Sequence, residues 1–238
     1  MFTYLILIVF IYIAILYFTY KTDKHGYKIS TQFNDGDNDI PVYIYIPTNF
    51  KLGHSSIIFA IHGANKNANE MLNACKAMSE KYNTIIIAPK FDFKNYSKDG
   101  TNSLWTFKHA TKLFTYFLSV FNTNNFILLG HSGGGQFVNR YIYKEYDFSS
   151  KARLIVAANS GTYAFPRDDW DWPYGIYPVN NKVFELPFII YLGRDDVNRS
   201  PILDKSYEAD LQGQNRFERG EKFYNYCLNY TEKHNVPF

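Results

Sequence analysis

The feature of this sequence that most constrains its fold is an alternation of short apolar runs and helical segments, which begins at Ser56. Short continuous apolar runs are typical of strands buried on both faces of a sheet, and apolar residues three or four positions apart are typical of helices. Strand then helix, repeated, predicts a mostly parallel sheet flanked by helices on both faces. The predicted strands are residues 57–61, 84–88, 126–129, 154–158 and 188–192, and the predicted helices are residues 67–82, 107–121, 133–146 and 217–233.

Two other stretches depart from this alternation. Residues 27–33 and 40–46 are β-rich runs joined by Asn34-Asp35-Gly36-Asp37-Asn38, which predicts an antiparallel hairpin ahead of the parallel strands. Residues 161–185, rich in Pro, Asp, Trp and Gly, form the longest irregular stretch. A long insert of this kind between two strands is usually a functional loop or lid.

The N-terminal segment carries no charged side chain from Met1 to Tyr20. About 20 helical residues span about 30 Å, the thickness of the hydrocarbon core of a bilayer. A signal peptide is the alternative, but the segment lacks a basic start, a short apolar run and a small-residue cleavage site. The sequence therefore predicts a single-pass membrane protein with a transmembrane anchor at residues 1–20, a linker at 21–26 and one domain at 27–238.

The side of the membrane on which this domain lies stays open. Lysines that follow the apolar segment favour the cytoplasmic side, whereas glycosylation sequons favour the opposite side. The lysines are Lys21, Lys24 and Lys28, and the sequons begin at Asn95, Asn198 and Asn229.

Composition excludes two classes of protein. Apolar residues make up 46% of the chain and charged residues 20%, which is enough to build a folded core and argues against a disordered chain. The net charge of +3 is small and forms no basic stripe, so we expect no nucleic-acid partner.

The pentapeptide Gly130-His131-Ser132-Gly133-Gly134 lies between a predicted strand and a predicted helix. Such a strand–turn–helix holds a serine in a strained conformation that exposes its Oγ at the carboxyl edge of the sheet. The flanking glycines are needed because a Cβ at position 130 or 134 would collide with the neighbouring strand and helix. Ser132 is therefore the candidate nucleophile, and the N–H of Gly133 is a candidate donor to a developing oxyanion. We expect the side chain of His131 to point away from Oγ.

Two further motifs follow strands that end at the same edge. His62-Gly63-Ala64 follows the first buried strand, and the N–H of Ala64 is the second candidate oxyanion donor, with Asn65 as the alternative. We expect His62 to stabilise this loop by hydrogen bonding. Gly193-Arg194-Asp195-Asp196 follows the last predicted strand. Asp196, with Asp195 as the alternative, is the candidate acid that orients a catalytic histidine.

Together, these three motifs resemble the α/β-hydrolase superfamily in kind, order and spacing. A finer similarity, to poly(3-hydroxybutyrate)-depolymerase-like and related esterases, rests on Ala158-Asn159-Ser160-Gly161-Thr162-Tyr163 and on Gly213-Gln214-Asn215-Arg216-Phe217-Glu218-Arg219-Gly220. The resemblance implies an α/β-hydrolase fold and hydrolysis of a small-molecule or polymeric carboxylic ester through an acyl-enzyme on Ser132, without a cofactor or a metal ion. A peptidase or an acyltransferase stays open, because the motif defines acyl transfer and not the acceptor.

The histidine that the resemblance requires after the acid, in a loop beyond one more strand, has no clear counterpart. His234 alone follows Asp196 in the sequence. The predicted helix 217–233 starts at the active edge of the sheet, so it would place His234 about 25 Å away. We therefore expect the final strand and its histidine loop to be absent from this chain, which leaves two alternatives to an active enzyme: an inactive binding protein of the hydrolase fold, or a fragment of a longer hydrolase.

The aromatic residues of the irregular stretch support two interpretations. Trp170, Trp172 and Tyr174 fit an apolar acyl pocket, and they equally fit packing over the sheet edge.

Overall fold

The computed structural model describes residues 26–36, 39–91 and 107–237. In this part of the chain, seven strands form one sheet in the order β1-β2-β4-β3-β5-β6-β7. The strands are β1 (Tyr27–Asn34), β2 (Asp39–Ile46), β3 (Ser56–Ile61), β4 (Thr84–Pro89), β5 (Phe126–His131), β6 (Leu154–Ala158) and β7 (Phe188–Tyr191). β1 and β2 form the predicted antiparallel hairpin, β2 pairs antiparallel with β4, and every pairing from β4 across to β7 is parallel.

Helices connect these strands as the alternation predicts. They are α1 (Ala68–Tyr82), α2 (Phe107–Val120), α3 (Gly133–Lys144), α4 (Tyr146–Ser149), a 3₁₀ helix (Asn181–Glu185), α5 (Tyr207–Gln212) and α6 (Arg216–His234). The mostly parallel sheet with flanking helices confirms the predicted fold class. β7 lies at one edge of the sheet and is the last strand of the described residues.

Two predicted boundaries are wrong by two residues, for identifiable reasons. The helix predicted at 133–146 ends at Lys144, because Glu145 adopts non-helical backbone angles of φ −124° and ψ 48° before the short α4 begins. The strand predicted at 126–129 continues through Gly130 and His131, which pair with Ala157 and Ala158 of β6.

The core fills both faces of the sheet, and β3 shows why its sequence is continuously apolar. Ile57, Phe59 and Ile61 belong to the larger cluster, which α2 and α3 cover. Ile58 and Ala60 belong to the cluster under α1. Because successive strand residues point to opposite faces, a strand covered on both sides must be apolar at every position.

The membrane anchor predicted at residues 1–20 lies outside the described residues. Within the described ranges, no helix has the length and apolar character that crossing a membrane would require.

Candidate active site

Ser132 occupies the predicted turn between β5 and α3. Its backbone has φ 56° and ψ −113°, a left-handed φ that a non-glycine residue rarely adopts. The turn is stabilised by the Ser132 N–H, which donates to the Ala158 carbonyl at 2.9 Å, and by the Gln136 N–H, which donates to the Ser132 carbonyl at 3.0 Å. Strand, strained serine and helix therefore follow one another as the sequence predicts.

The glycines around Ser132 allow backbone segments to approach closely. A Cβ on Gly130 would lie 2.0 Å from the Gly134 carbonyl oxygen, and a Cβ on Gly134 would lie 2.1 Å from the Ile61 carbonyl oxygen. Both contacts are with backbone, which has no rotamer to change. The turn therefore requires glycine at these two positions for the reason that the sequence indicated.

The loop after β3 brings Ala64 to the serine turn. A Cβ placed on Gly133 would lie 3.2 Å from the Ala64 nitrogen, and one placed on Gly63 would lie 3.7 Å from Ser132 Oγ. The backbone nitrogen of Ala64 thus lies close to Gly133, and the loop that carries it lies close to Ser132 Oγ. Lys66, which follows Asn65, takes a left-handed φ of 54°, and its N–H donates to the Gly63 carbonyl at 3.2 Å, which closes this loop.

His62 is fully buried beneath the same loop, where its Nδ1 lies 2.7 Å from the Gly63 carbonyl oxygen. Burial lowers the pKa of its imidazole, so the neutral form is favoured. This agrees with the expected role of His62 in stabilising the loop.

Asp196 lies in a turn that follows β7 at the same sheet edge. Its N–H donates to the Gly193 carbonyl at 3.1 Å, and the Gly193 N–H donates to Asn159 Oδ1 at 2.7 Å, which ties the turn to the end of β6. Asp196 is partly buried, whereas its alternative Asp195 is exposed. Of the two candidate aspartates, Asp196 is therefore the one held more closely against the sheet edge.

The carboxylate of Asp196 is engaged by Arg216, whose Nη1 donates to Asp196 Oδ1 at 3.2 Å. The Phe217 N–H also donates to the Asp196 carbonyl at 3.3 Å, so α6 begins directly beside the acid. Arg216 lies in the motif of the finer resemblance, but the sequence assigns it no role. The feature of the sequence that indicates a role for Arg216 is its position just before a predicted helix, where a positive side chain opposes the helix dipole.

The described histidines are divided between the site and distant surfaces. His131 ends β5, and its pKa is lowered by burial and by the positive charge of Arg216, while Asp196 acts in the opposite direction.

His234 ends α6, where its ring stacks on Tyr230 with 4.2 Å between centroids. Since α6 starts at Arg216, beside Asp196, and rises about 1.5 Å per residue, His234 lies about 27 Å along the helix from its first residue. His109 pairs with Asp35 at the turn after β1.

Residues 161–185 are packed rather than structureless. Tyr163 and Phe165 are buried and contact Phe223 of α6, with ring centroids 4.6 Å and 5.2 Å apart. The buried Tyr174 donates its hydroxyl to Asp204 Oδ2 at 2.7 Å, and Trp172 packs edge-on against Phe107. For Trp172 and Tyr174 the structure thus favours packing over the acyl-pocket interpretation.

Two buried arginines hold this segment in place, and the sequence assigns a role to neither, although Arg219 lies in the motif of the finer resemblance. Arg219 of α6 donates to the carbonyls of Gly161, Asp204 and Gly213 at 2.7–2.8 Å. Arg140 of α3 donates to the Pro173 carbonyl at 3.0 Å and to Thr162 Oγ1 at 3.0 Å.

A cluster of His, Cys, Asp and Glu suited to a metal ion does not occur in the described ranges.

The strand order and the strained serine turn between β5 and α3 define the class: this is an α/β-hydrolase fold. No family model matches the chain, and no curated protein matches it either. Solved structures, in contrast, match the chain over most of its length.

The chain is similar to poly(aspartic acid) hydrolase-1 from Sphingomonas sp. KT-1, with a TM-score of 0.79 and 26% identity over 89% of this chain and 88% of that chain. It is also similar to LpqC, a poly(3-hydroxybutyrate) depolymerase from Bordetella parapertussis, with a TM-score of 0.78 and 20% identity over 90% and 82% of the two chains. FphF, a fluorophosphonate-binding serine hydrolase of Staphylococcus aureus, gives a TM-score of 0.55 and 15% identity over 90% and 88%. The similarity to poly(aspartic acid) hydrolase-1 confirms the resemblance to the α/β hydrolases and supports an enzyme of the hydrolase type, and the other two structures confirm the fold.

Proposed function

We propose that this chain is a serine hydrolase that cleaves a carboxylic ester through an acyl-enzyme on Ser132. The observation that carries the proposal is the strained turn that presents Ser132 beside the backbone nitrogens of Gly133 and Ala64. Ser132 Oγ attacks the ester carbonyl carbon, and the two N–H groups stabilise the negative charge that develops on the carbonyl oxygen. The C–O bond to the alcohol breaks, and the alcohol leaves with the proton that Ser132 Oγ has lost. Water then adds its OH to the acyl carbon and returns a proton to Ser132 Oγ, which releases the carboxylic acid and free Ser132.

The substrate class is a small-molecule or polymeric ester. The similar structures include a poly(3-hydroxybutyrate) depolymerase and a poly(aspartic acid) hydrolase, which supports a polymer with repeated acyl linkages. The proposal needs no cofactor, because attack by serine and hydrolysis by water supply every atom of the products. Asp196 is proposed as the acid of the site, and the general base is left unassigned because His234 lies at the far end of α6.

A second candidate is a non-catalytic binding protein that uses the same edge of the sheet. One observation favours it. Among the described residues, the side chain that hydrogen-bonds to the Asp196 carboxylate is Arg216, and it is not a histidine. A serine without an activating base loses most of its reactivity, by several orders of magnitude.

Covalent labelling by a fluorophosphonate separates the two candidates. We expect the purified full chain to react, and peptide mapping by mass spectrometry to locate the phosphonyl group on Ser132. A chain that has first been unfolded in urea is the control, since labelling depends on the folded turn. Absence of labelling after prolonged incubation of folded protein would support the binding protein and contradict the hydrolase.

We also propose that residues 1–20 anchor the chain to a membrane, on the strength of their uncharged, apolar sequence. We expect the expressed full chain to sediment with membranes in high salt and to be released by detergent. A variant that lacks residues 1–25 leaves β1 intact and should stay in the supernatant. Equal sedimentation of the two chains would contradict the anchor.

A further inference from the structure

Arg216 is placed where a positive side chain is unfavourable unless a negative group faces it. It is the first residue of α6, at the positive end of the helix dipole, directly after the cap residue Asn215. Its side chain is only 12% exposed. Desolvating a guanidinium in this position is costly, so its hydrogen-bond partners are informative.

The guanidinium of Arg216 leaves most of its donors unused. Nη1 donates to Asp196 Oδ1, but Nε is buried and has no hydrogen-bond partner among the described residues. The contrast is with Arg219, three residues along the same helix, which is fully buried and donates through Nε, Nη1 and Nη2 to three carbonyl oxygens. A shortage of acceptors is therefore a local property of Arg216 and not of buried arginines in this fold.

The free donors of Arg216 have a defined shape. With Nη1 occupied by Asp196, the edge formed by Nε and Nη2 remains, and this edge matches the two oxygens of a carboxylate. Asp196 already balances one unit of positive charge, so the pair together with the helix terminus carries only a fractional positive charge, which suits a monoanion.

Arg216 also lies near enough to the nucleophile to contact the same substrate. β5, which leads to Ser132, and β7, which leads to Asp196, are separated by β6 alone. Two strand spacings amount to about 10 Å, the reach of a short acyl chain. The charge of Arg216 already influences the titration of His131, the residue before Ser132.

We propose that Arg216 binds a carboxylate carried by the acyl part of the substrate, so that the enzyme prefers acidic acyl groups such as half-esters of dicarboxylic acids or polymers with free carboxylates. This inference rests on the proposed function of Ser132 and names the substrate class of that site. Arg216 is thus a specificity-determining residue of the proposed site.

Binding measured in a chain that cannot turn over substrate tests the proposal. In the full chain carrying Ser132→Ala, we expect isothermal titration calorimetry to give a Kd for monomethyl glutarate at least about ten-fold lower than that for dimethyl glutarate. Arg216→Gln in the same background should remove this preference. Arg194→Gln, an exposed arginine of the neighbouring turn, is the matched control and should retain it.

Arg216→Lys keeps the charge but loses the planar pair of donors, so we expect it to retain only part of the preference. It also serves if Arg216→Gln fails to fold, which circular dichroism reports. Equal affinity for the half-ester and the diester, or a preference that survives in Arg216→Gln, would overturn the inference. A stronger effect of inorganic phosphate than of the half-ester would also overturn it, because it would indicate a dianion site. Because the readout needs no chemistry at Ser132, its failure is distinct from a failure of fluorophosphonate labelling in the unmodified chain.

Discussion

Ser132→Ala should lower the hydrolysis of p-nitrophenyl butyrate by at least about 10³-fold and abolish fluorophosphonate labelling. The reason is that the oxygen that forms the acyl-enzyme is removed, while the N–H groups of Gly133 and Ala64 remain to support only slow attack by water. The structure predicts little change in stability, because Ser132 is partly buried and its turn is held by backbone hydrogen bonds to Ala158 and Gln136. The measurement is kcat/KM for each variant, with the free energy of unfolding as a check on folding.

Ser160→Ala provides the matched control. Ser160 is a buried serine just after β6, the strand next to the serine turn. We expect its turnover to stay within about two-fold of the unmodified chain. Equal activity in Ser132→Ala and Ser160→Ala would show that the nucleophile is not Ser132.

Gly134→Ala should destabilise the protein by about 3 kcal/mol or more and abolish labelling of Ser132. The added Cβ would lie 2.1 Å from the Ile61 carbonyl oxygen, 2.7 Å from the Ile61 carbonyl carbon and 2.8 Å from the His62 carbonyl oxygen. All three atoms belong to the backbone at the end of β3, so α3 must move away from the sheet to remove the steric clash. That movement displaces both the serine turn and the Ala64 loop. Urea unfolding followed by circular dichroism measures the loss.

Gly133→Ala, one residue earlier in α3, separates this steric effect from a general cost of substituting helical glycines. Its Cβ would meet no atom closer than 3.2 Å, the nitrogen of Ala64. We expect its free energy of unfolding to change by less than about 1 kcal/mol, since alanine is the better helix former. Similar stability losses in the two variants would contradict the proposed close approach of α3 to β3.

Local patterns were sufficient to predict most elements of the domain. The continuous apolar run in β3 follows from burial on both faces, and the hairpin of β1 and β2 follows from the turn residues between two β-rich runs. The serine turn was predictable because strand, glycines and helix are contiguous in the sequence, so each constraint acts within a few residues. The order of the strands was not predicted, since the insertion of β4 between β2 and β3 depends on long-range packing.

The site was only partly predictable. Ser132, Gly133 and Ala64 were identified from motifs, and the structure brings these residues together. Asp196 was chosen over Asp195 by spacing, and the structure places Asp196 as the partly buried member of the pair. The packing of Trp172 and Tyr174 was left open by the sequence, because their partners Phe107 and Asp204 lie in other segments of the chain.

What the sequence by itself determined is the class of fold and the strained turn that holds Ser132, the proposed nucleophile, because glycine spacing and strand periodicity are local constraints on the backbone. What only the tertiary structure decided is the environment of Asp196. Its pairing with Arg216 arises because α6 docks with its first turn against the loop after β7, twenty residues further along the chain. Contacts of that kind depend on how distant segments pack, and no pattern within either segment specifies them.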